Sequence, residues 1–181
     1  IIFQGKNLYT AKRTELDQIR WRDIAYIPQS AMNSLDPVIK IGNQISEAIL
    51  AHDRISRKKA DLKAASLFEL VGLDPKRLKH YPHQFSGGMK QRSVISMSLA
   101  LQPKLIIADE PTTGLDVLVQ DQILTEIEKI HQTTNASLMF VTHDIGIVAE
   151  GCQRIVVMYA GKIVENADSE SLFERPFHPY T

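Results

Sequence analysis

The sequence has a single cysteine, Cys152, and no excess of either charge, with 21 Lys plus Arg against 21 Asp plus Glu. A lone thiol forms no internal disulfide and no cysteine-cluster metal site within these residues, and it suits a reducing compartment. The balanced charge offers no basic field for nucleic acid or an anionic membrane surface. The densest basic run, Arg57-Lys58-Lys59, falls in a helix-like segment where a solvated face explains it. No apolar run approaches the length of about 18 residues that a membrane helix needs. Internal repeats, low-complexity tracts, coiled-coil heptads and flexible linkers are also missing. The 181 residues suffice for one ordinary core and are few for two, so one domain with an inserted lobe is expected.

The opening "IIFQGKNLYT" lacks an initiator Met, a basic leader and a small-residue cleavage site, so it is not a signal peptide. It reads as a strand already under way, and the natural start is expected upstream. "IIFQ", "DIAYI", "KLIIAD", "SLMFVT" and "RIVVMYAG" are short Ile- and Val-rich runs bounded by turn residues, and are strand candidates. Those ending near Asp109, Thr142 and Ala160 show so little alternation that strands covered on both faces are expected. Val119, Ile123, Ile127 and Ile130 form a helical stripe between two of them, which makes a βαβ unit.

Residues 41 to 101 contain no convincing strand. Ile41, Ile45, Ala48 and Ile49 fall at helical spacing. Ser56 suits the cap of a second helix through Ala64, Leu67, Phe68 and Val71 that stops at Gly72. A third helix follows Gly88 and ends before Pro103. The expected layout is an α/β core with a mainly parallel sheet, built from 1–30 and 102–181, around a helical subdomain at 31–101.

Chemistry concentrates where apolar strands end. In a parallel sheet, ligands gather at the carboxyl ends of strands. "LIIADEPTTGLD" runs straight from such a strand into Asp109 and Glu110. Two charges at a buried strand tip are costly unless something cationic or polar meets them. Magnesium on a nucleotide phosphate meets that need: one carboxylate holds the metal and the next positions a water. "FSGGMKQR" opens the third helix with Ser86 as cap and two glycines in the first turn, which favours close backbone approach by an anion. Gln29 in "YIPQS" and His143 in "VTHD" each follow a strand. Each of these features, taken singly, is compatible with an ordinary polar turn or a satisfied surface residue.

Their order is more specific. Gln29, the Gly-Gly helix start, Asp109-Glu110, Asp116 and His143 together resemble the ATP-binding subunits of ABC transporters, over essentially the whole chain. Gln29 is similar to the Q-loop glutamine, "FSGGMKQR" to the signature, "LIIADE" to Walker B, "TGLD" to the D-loop and "VTHD" to the H-loop. "IPQSAMNSLDPV" and "RPFHPYT" further resemble the oligopeptide, dipeptide and nickel importer branch. The resemblance implies a P-loop NTPase-like fold, ATP and Mg2+ as cofactors, and transport-coupled ATP hydrolysis. It implies Glu110 and His143 as catalytic, with Asp109 and Gln29 at the metal. Ser86, Gly87, Gly88 and Gln91 would reach across a dimer to the partner's ATP, with Asp116 at the same interface. The implied partners are a second ATPase subunit, identical or different, transmembrane permease subunits and, indirectly, a substrate-binding protein, with no nucleic acid. The implied place is the cytoplasmic face of the cell membrane, peripherally bound. Two other classes are a non-transport ABC ATPase and a non-catalytic regulatory subunit. The balanced charge and "MNSLDPV" speak against the first, and the presence of both Glu110 and His143 against the second.

A P-loop, G-x-x-x-x-G-K-[ST], does not occur in these residues: Asn7 and Ile163 follow the two Gly-Lys pairs where Ser or Thr is required. By the resemblance, the P-loop and the aromatic that stacks on adenine lie before Ile1. The 181 residues by themselves are therefore expected not to hydrolyse ATP. A magnesium-dependent phosphate-release assay checks this, and turnover that disappears on Glu110→Gln contradicts it.

Overall fold

The computed structural model describes residues 1–29, 33–134 and 136–181, without the side chains of 130, 132 and 133. Ser30, Ala31 and Met32 of the "IPQSAMNSLDPV" motif, and the Ile130 position of the helical stripe, thus lie outside the described side chains. The chain forms two compact units, Ile1–Val141 and Thr142–Thr181. Among the described residues no helix is long and apolar enough to cross a membrane.

The first unit opens with a two-residue-per-strand hairpin, β1 (Ile2–Phe3) and β2 (Lys6–Asn7), and a short helix α1 (Arg13–Ile19). Its sheet is parallel: β3 (Ile24–Ile27), β4 (Leu105–Asp109) and β5 (Ser137–Val141) lie in that order. Register is fixed by pairs such as Ile27 with Ala108 and Ala108 with Phe140. Alternate residues share a face, so Ala25, Ile27, Ile106 and Ala108 turn inward together and are at most 4% exposed.

The chain from β3 to β4 is helical. α2 (Ile41–His52) buries Ile41, Ile45 and Ile49 at helical spacing. α3 (Arg57–Leu70) starts at Ser56, whose side chain accepts from the Lys59 N–H, and buries Ala60, Ala64 and Phe68. Two short 3₁₀ turns, Pro75–Lys79 and Pro82–Gln84, lead to α4 (Gly87–Ser98). α5 (Val117–Thr133) returns the chain from β4 to β5 and buries Ile123 and Ile127. These helices and the inward sheet face share one apolar cluster, from Ile45 and Phe68 through Val94 and Ile95 to Ile106 and Ile123.

The expectation of strands covered on both faces is corrected by the structure. In β5, Met139 and Val141 are each 46% exposed, and Tyr26 on the same face of β3 is 54% exposed. α4 and α5 bury one face, and register places these three side chains on the other. The sequence hides this because Ile, Met and Val occupy both faces.

The second unit holds α6 (Ile145–Gly151), the hairpin β6 (Arg154–Tyr159) and β7 (Lys162–Asp168), and α7 (Ser169–Glu174). "RIVVMYAG" is thus one arm of an antiparallel pair, and not a covered parallel strand. Ala160 and Gly161 turn the chain with φ of 49° and 75°, the left-handed geometry of tight hairpins. Val156, Met158 and Ile163 remain exposed on it.

Phe68 is fully buried and meets Phe85 edge-on at 6.4 Å. Phe68→Ala removes the centre of the helical packing and should destabilise the full-length protein by about 3–5 kcal/mol in denaturant melts. A loss under about 1 kcal/mol contradicts this packing.

Candidate functional site

The site begins with register. Tyr26 in β3 pairs with Ile107 in β4, and Asp109 lies two residues further along the same face. A tyrosine ring spans that diagonal step, and Tyr26 Oη donates to Asp109 Oδ2 at 2.7 Å. The carboxylate holds the phenol proton, which pushes the Tyr26 pKa above the ordinary tyrosine value; burial and the negative charge add to the shift. Among the described residues Asp109 Oδ1 has no hydrogen-bond donor.

Glu110 follows in a left-handed conformation, φ 44°, which is strained for a residue with a side chain. Its N–H extends the ladder to the Val141 carbonyl at 2.8 Å, after which the chain leaves the sheet. Gln29, two residues past β3, donates from Nε2 to Glu110 Oε2 at 2.5 Å. Thr113 Oγ1 donates to the same oxygen at 2.9 Å, across a turn closed by Thr113 N–H on the Glu110 carbonyl. Pro111 and Thr112, the central residues of that turn, are buried. Two carboxylates at one strand tip are therefore each held by neutral donors from a neighbouring segment.

A second cluster forms where two helices start side by side. Ser86 Oγ accepts from the Met89 N–H at the start of α4. Asp116 Oδ1 accepts from the Val119 N–H at 3.0 Å at the start of α5. The two starts touch at Gly88, where an added Cβ would stand 2.6 Å from Val119 Cγ1. Close approach thus explains this glycine, but the approaching group is a neighbouring helix as well as any anion. Arg92 ties the same helices together, 3.2 Å from Glu126 and 2.9 Å from Gln122. Burial raises the Glu126 pKa, while Arg92 and Lys129 pull it back down.

Gln29 meets Glu110, next in the chain to Asp109, and the α4 start at Ser86–Gly88 lies against the α5 start that Asp116 caps. Gln91, expected beside them, turns inward in this chain and is 3% exposed. Helical spacing explains this, since Gln91 sits beside the buried Val94 and Ile95 on the packed side of α4. His143 belongs to the second unit, in the turn before α6, where the Asp144 N–H donates to Thr142 Oγ1 and Asp144 caps the Gly146 N–H. Sequence reasoning missed Tyr26 and Thr113. The alternation in "DIAYI" sets Tyr26 opposite Ala25 and Ile27, but only register shows that Asp109 shares its face.

The donors suit a hard divalent cation. Asp109 offers a carboxylate oxygen, and Gln29, with Nε2 committed to Glu110, offers its amide carbonyl oxygen. Among the described residues no group of three or more His, Cys, Asp or Glu side chains could hold a metal. Such a set fits a cation that draws its remaining ligands from water and phosphate, as magnesium does. Beside these oxygens, the Glu110 carboxylate is held at Oε2 by Gln29 and Thr113.

A family model described as "ABC transporter" matches residues 1–113. The chain belongs to the ABC transporter family. It is 50% identical to the probable peptide ABC transporter ATP-binding protein y4tR of Sinorhizobium fredii, covering 100% of this chain and 55% of that protein. It is 46% identical to the oligopeptide transport ATP-binding protein OppD of Bacillus subtilis, covering 100% of this chain and 51% of that one. The chain thus spans about half the length of the curated relatives it matches. Among solved structures, the dimeric post-hydrolysis state of the ATP-binding cassette MJ0796 bound to ADP and Pi superposes with TM-score 0.81 at 25% identity, over 92% of this chain and 72% of that one. CbiO1 from Clostridium perfringens, part of the ABC transporter complex cbiONQ, superposes with TM-score 0.82 over 96% of this chain and 67% of that one; at 22% identity it speaks to fold alone. The P-loop NTPase-like fold of an ABC ATPase, expected from the motifs, is the fold of this chain.

At Gly88 the two helix starts approach so closely that a Cβ there would stand 2.6 Å from Val119 Cγ1. Gly88→Ala should destabilise the full-length protein by about 1–3 kcal/mol through overpacking, and Val119→Ala in the same protein should restore most of the loss. Thermal melts of both variants check this; an unchanged melting temperature in Gly88→Ala contradicts the contact.

Proposed function

We propose that this chain carries the hydrolytic edge and the signature helix of an ATP-hydrolysing subunit of a peptide-type ABC importer. The observation that carries the reading is the β4 tip, where Glu110 is held at one oxygen by Gln29 and Thr113 beside an Asp109 anchored by Tyr26. Support for peptide import comes from relatives with peptide or oligopeptide in their names, 42–50% identical along the full chain.

In this reading Asp109 and Gln29 would hold Mg2+ on ATP, where it would neutralise phosphate charge during hydrolysis. Glu110 orients the attacking water and takes its proton. A carboxylate is a weak base at its ordinary pKa of roughly 4.3, so its fixed direction matters more than its basicity. His143 contacts the γ-phosphate. Ser86, Gly87 and Gly88 offer helix-start N–H groups to the ATP of a second ATPase subunit, and Asp116 lies at that interface. Closure of the pair pulls on permease subunits through the segment after Gln29, in front of a helical subdomain at 31–101. A substrate-binding protein delivers cargo, and the subunit works at the cytoplasmic face of the membrane.

Glu110→Gln in the full-length subunit should slow ATP hydrolysis by about 10²- to 10⁴-fold, the usual contribution of a general base. ATP-driven dimerisation, followed by light scattering, should persist. Hydrolysis at the wild-type rate would remove Glu110 from the role assigned to it.

A further inference from the structure

We infer that Tyr26 is a positioning residue that fixes which oxygen of Asp109 is presented to the metal; this deepens the proposed ATPase reading and rests on it. The geometry is set by the backbone. Tyr26 lies in register with Ile107, so its ring runs diagonally along the sheet face toward Asp109, and its hydroxyl ends 2.7 Å from Oδ2. The bond links residues 83 positions apart, on neighbouring strands whose inward faces are packed into the core. Tyr26 also lines an open pocket of about 490 Å³ with Trp21, Pro28, Leu35 and Met97. Trp21 is itself pinned by its indole N–H on the Met97 carbonyl at 3.0 Å.

The consequence is chemical. A carboxylate free to rotate presents either oxygen, or both, to a cation. With Oδ2 occupied by a phenol proton, Asp109 presents Oδ1, as a single oxygen in one direction. Hydrogen-bond partners of metal ligands commonly fix ligand orientation in this manner. A side chain without a hydroxyl at position 26 fills the same wall of the cavity but leaves the carboxylate unfixed. Position 26 therefore sets metal affinity without touching metal or nucleotide.

The test uses the full-length subunit with Tyr26→Phe, which keeps the ring. Mn2+ binding to the ATP-loaded protein is titrated by electron paramagnetic resonance in a Glu110→Gln background, so that turnover does not interfere. Tyr26→Phe should weaken Mn2+ binding by about 10- to 100-fold, the usual effect of losing such a partner. Binding of ATP without metal and the melting temperature should stay at the parent values. In the protein with Glu110 intact, the Mg2+ concentration for half-maximal hydrolysis should rise, with the rate at saturating Mg2+ largely kept. Mn2+ affinity equal to the parent's overturns the inference and leaves the ATPase reading standing. A fall in melting temperature with unchanged Mn2+ affinity also overturns it, since Tyr26 then only packs. If the parent binds neither ATP nor Mn2+, the reading itself fails and this inference with it.

Discussion

A pair of adjacent carboxylates at the end of a packed strand is an electrostatic liability, and the first unit is arranged to meet it. Asp109 and Glu110 repel each other and stand half-buried. Low local dielectric strengthens any donor aimed at them and penalises any missing one. The donors come from β3 and the turn after it, Tyr26 and Gln29, and from Thr113 one turn downstream. None of the three is charged. Neutral donors orient a carboxylate while leaving its negative charge in place, as the proposed cation site requires, whereas a lysine or arginine would neutralise it.

That arrangement depends on parallel pairing of β3 with β4, and the pairing depends on the helices beneath. Ala25, Ile27, Ile106 and Ala108 face α4 and α5, and a one-residue slip would turn Tyr26 into the core and Asp109 away from it. The same packing positions α4. Gly88 allows α4 and α5 to start in contact, with the Arg92–Glu126 pair holding them further along. Residue types that suggest ligand chemistry in the sequence thus also carry a packing requirement.

Much of this was legible in the residues. Apolar periodicity located α2, α3 and α5, Ser56 and Ser86 marked helix starts, and "LIIADE" marked the strand tip, because these signals are local. Less legible was anything that depends on which strand lies beside which. Tyr26 reads as one more aromatic in a strand until register sets it beside Asp109. Gln91 reads as part of a polar motif until the helix turns it inward. "RIVVMYAG" reads as a covered strand, although the left-handed Ala160-Gly161 pair makes it a hairpin arm. β7 carries no such signal, since "KIVENAD" mixes apolar and charged residues without a clear period.

The proposed role of the β4 tip is to hold metal and water beside a nucleotide phosphate. It is tested most directly by a crystal structure of the full-length subunit with Mn2+ and a non-hydrolysable ATP analogue. An anomalous Mn2+ peak is expected on the Asp109 side of the tip, bound directly or through water, with the Glu110 carboxylate facing the γ-phosphate. A metal held elsewhere, with Asp109 and Glu110 turned away from the phosphates, would contradict it.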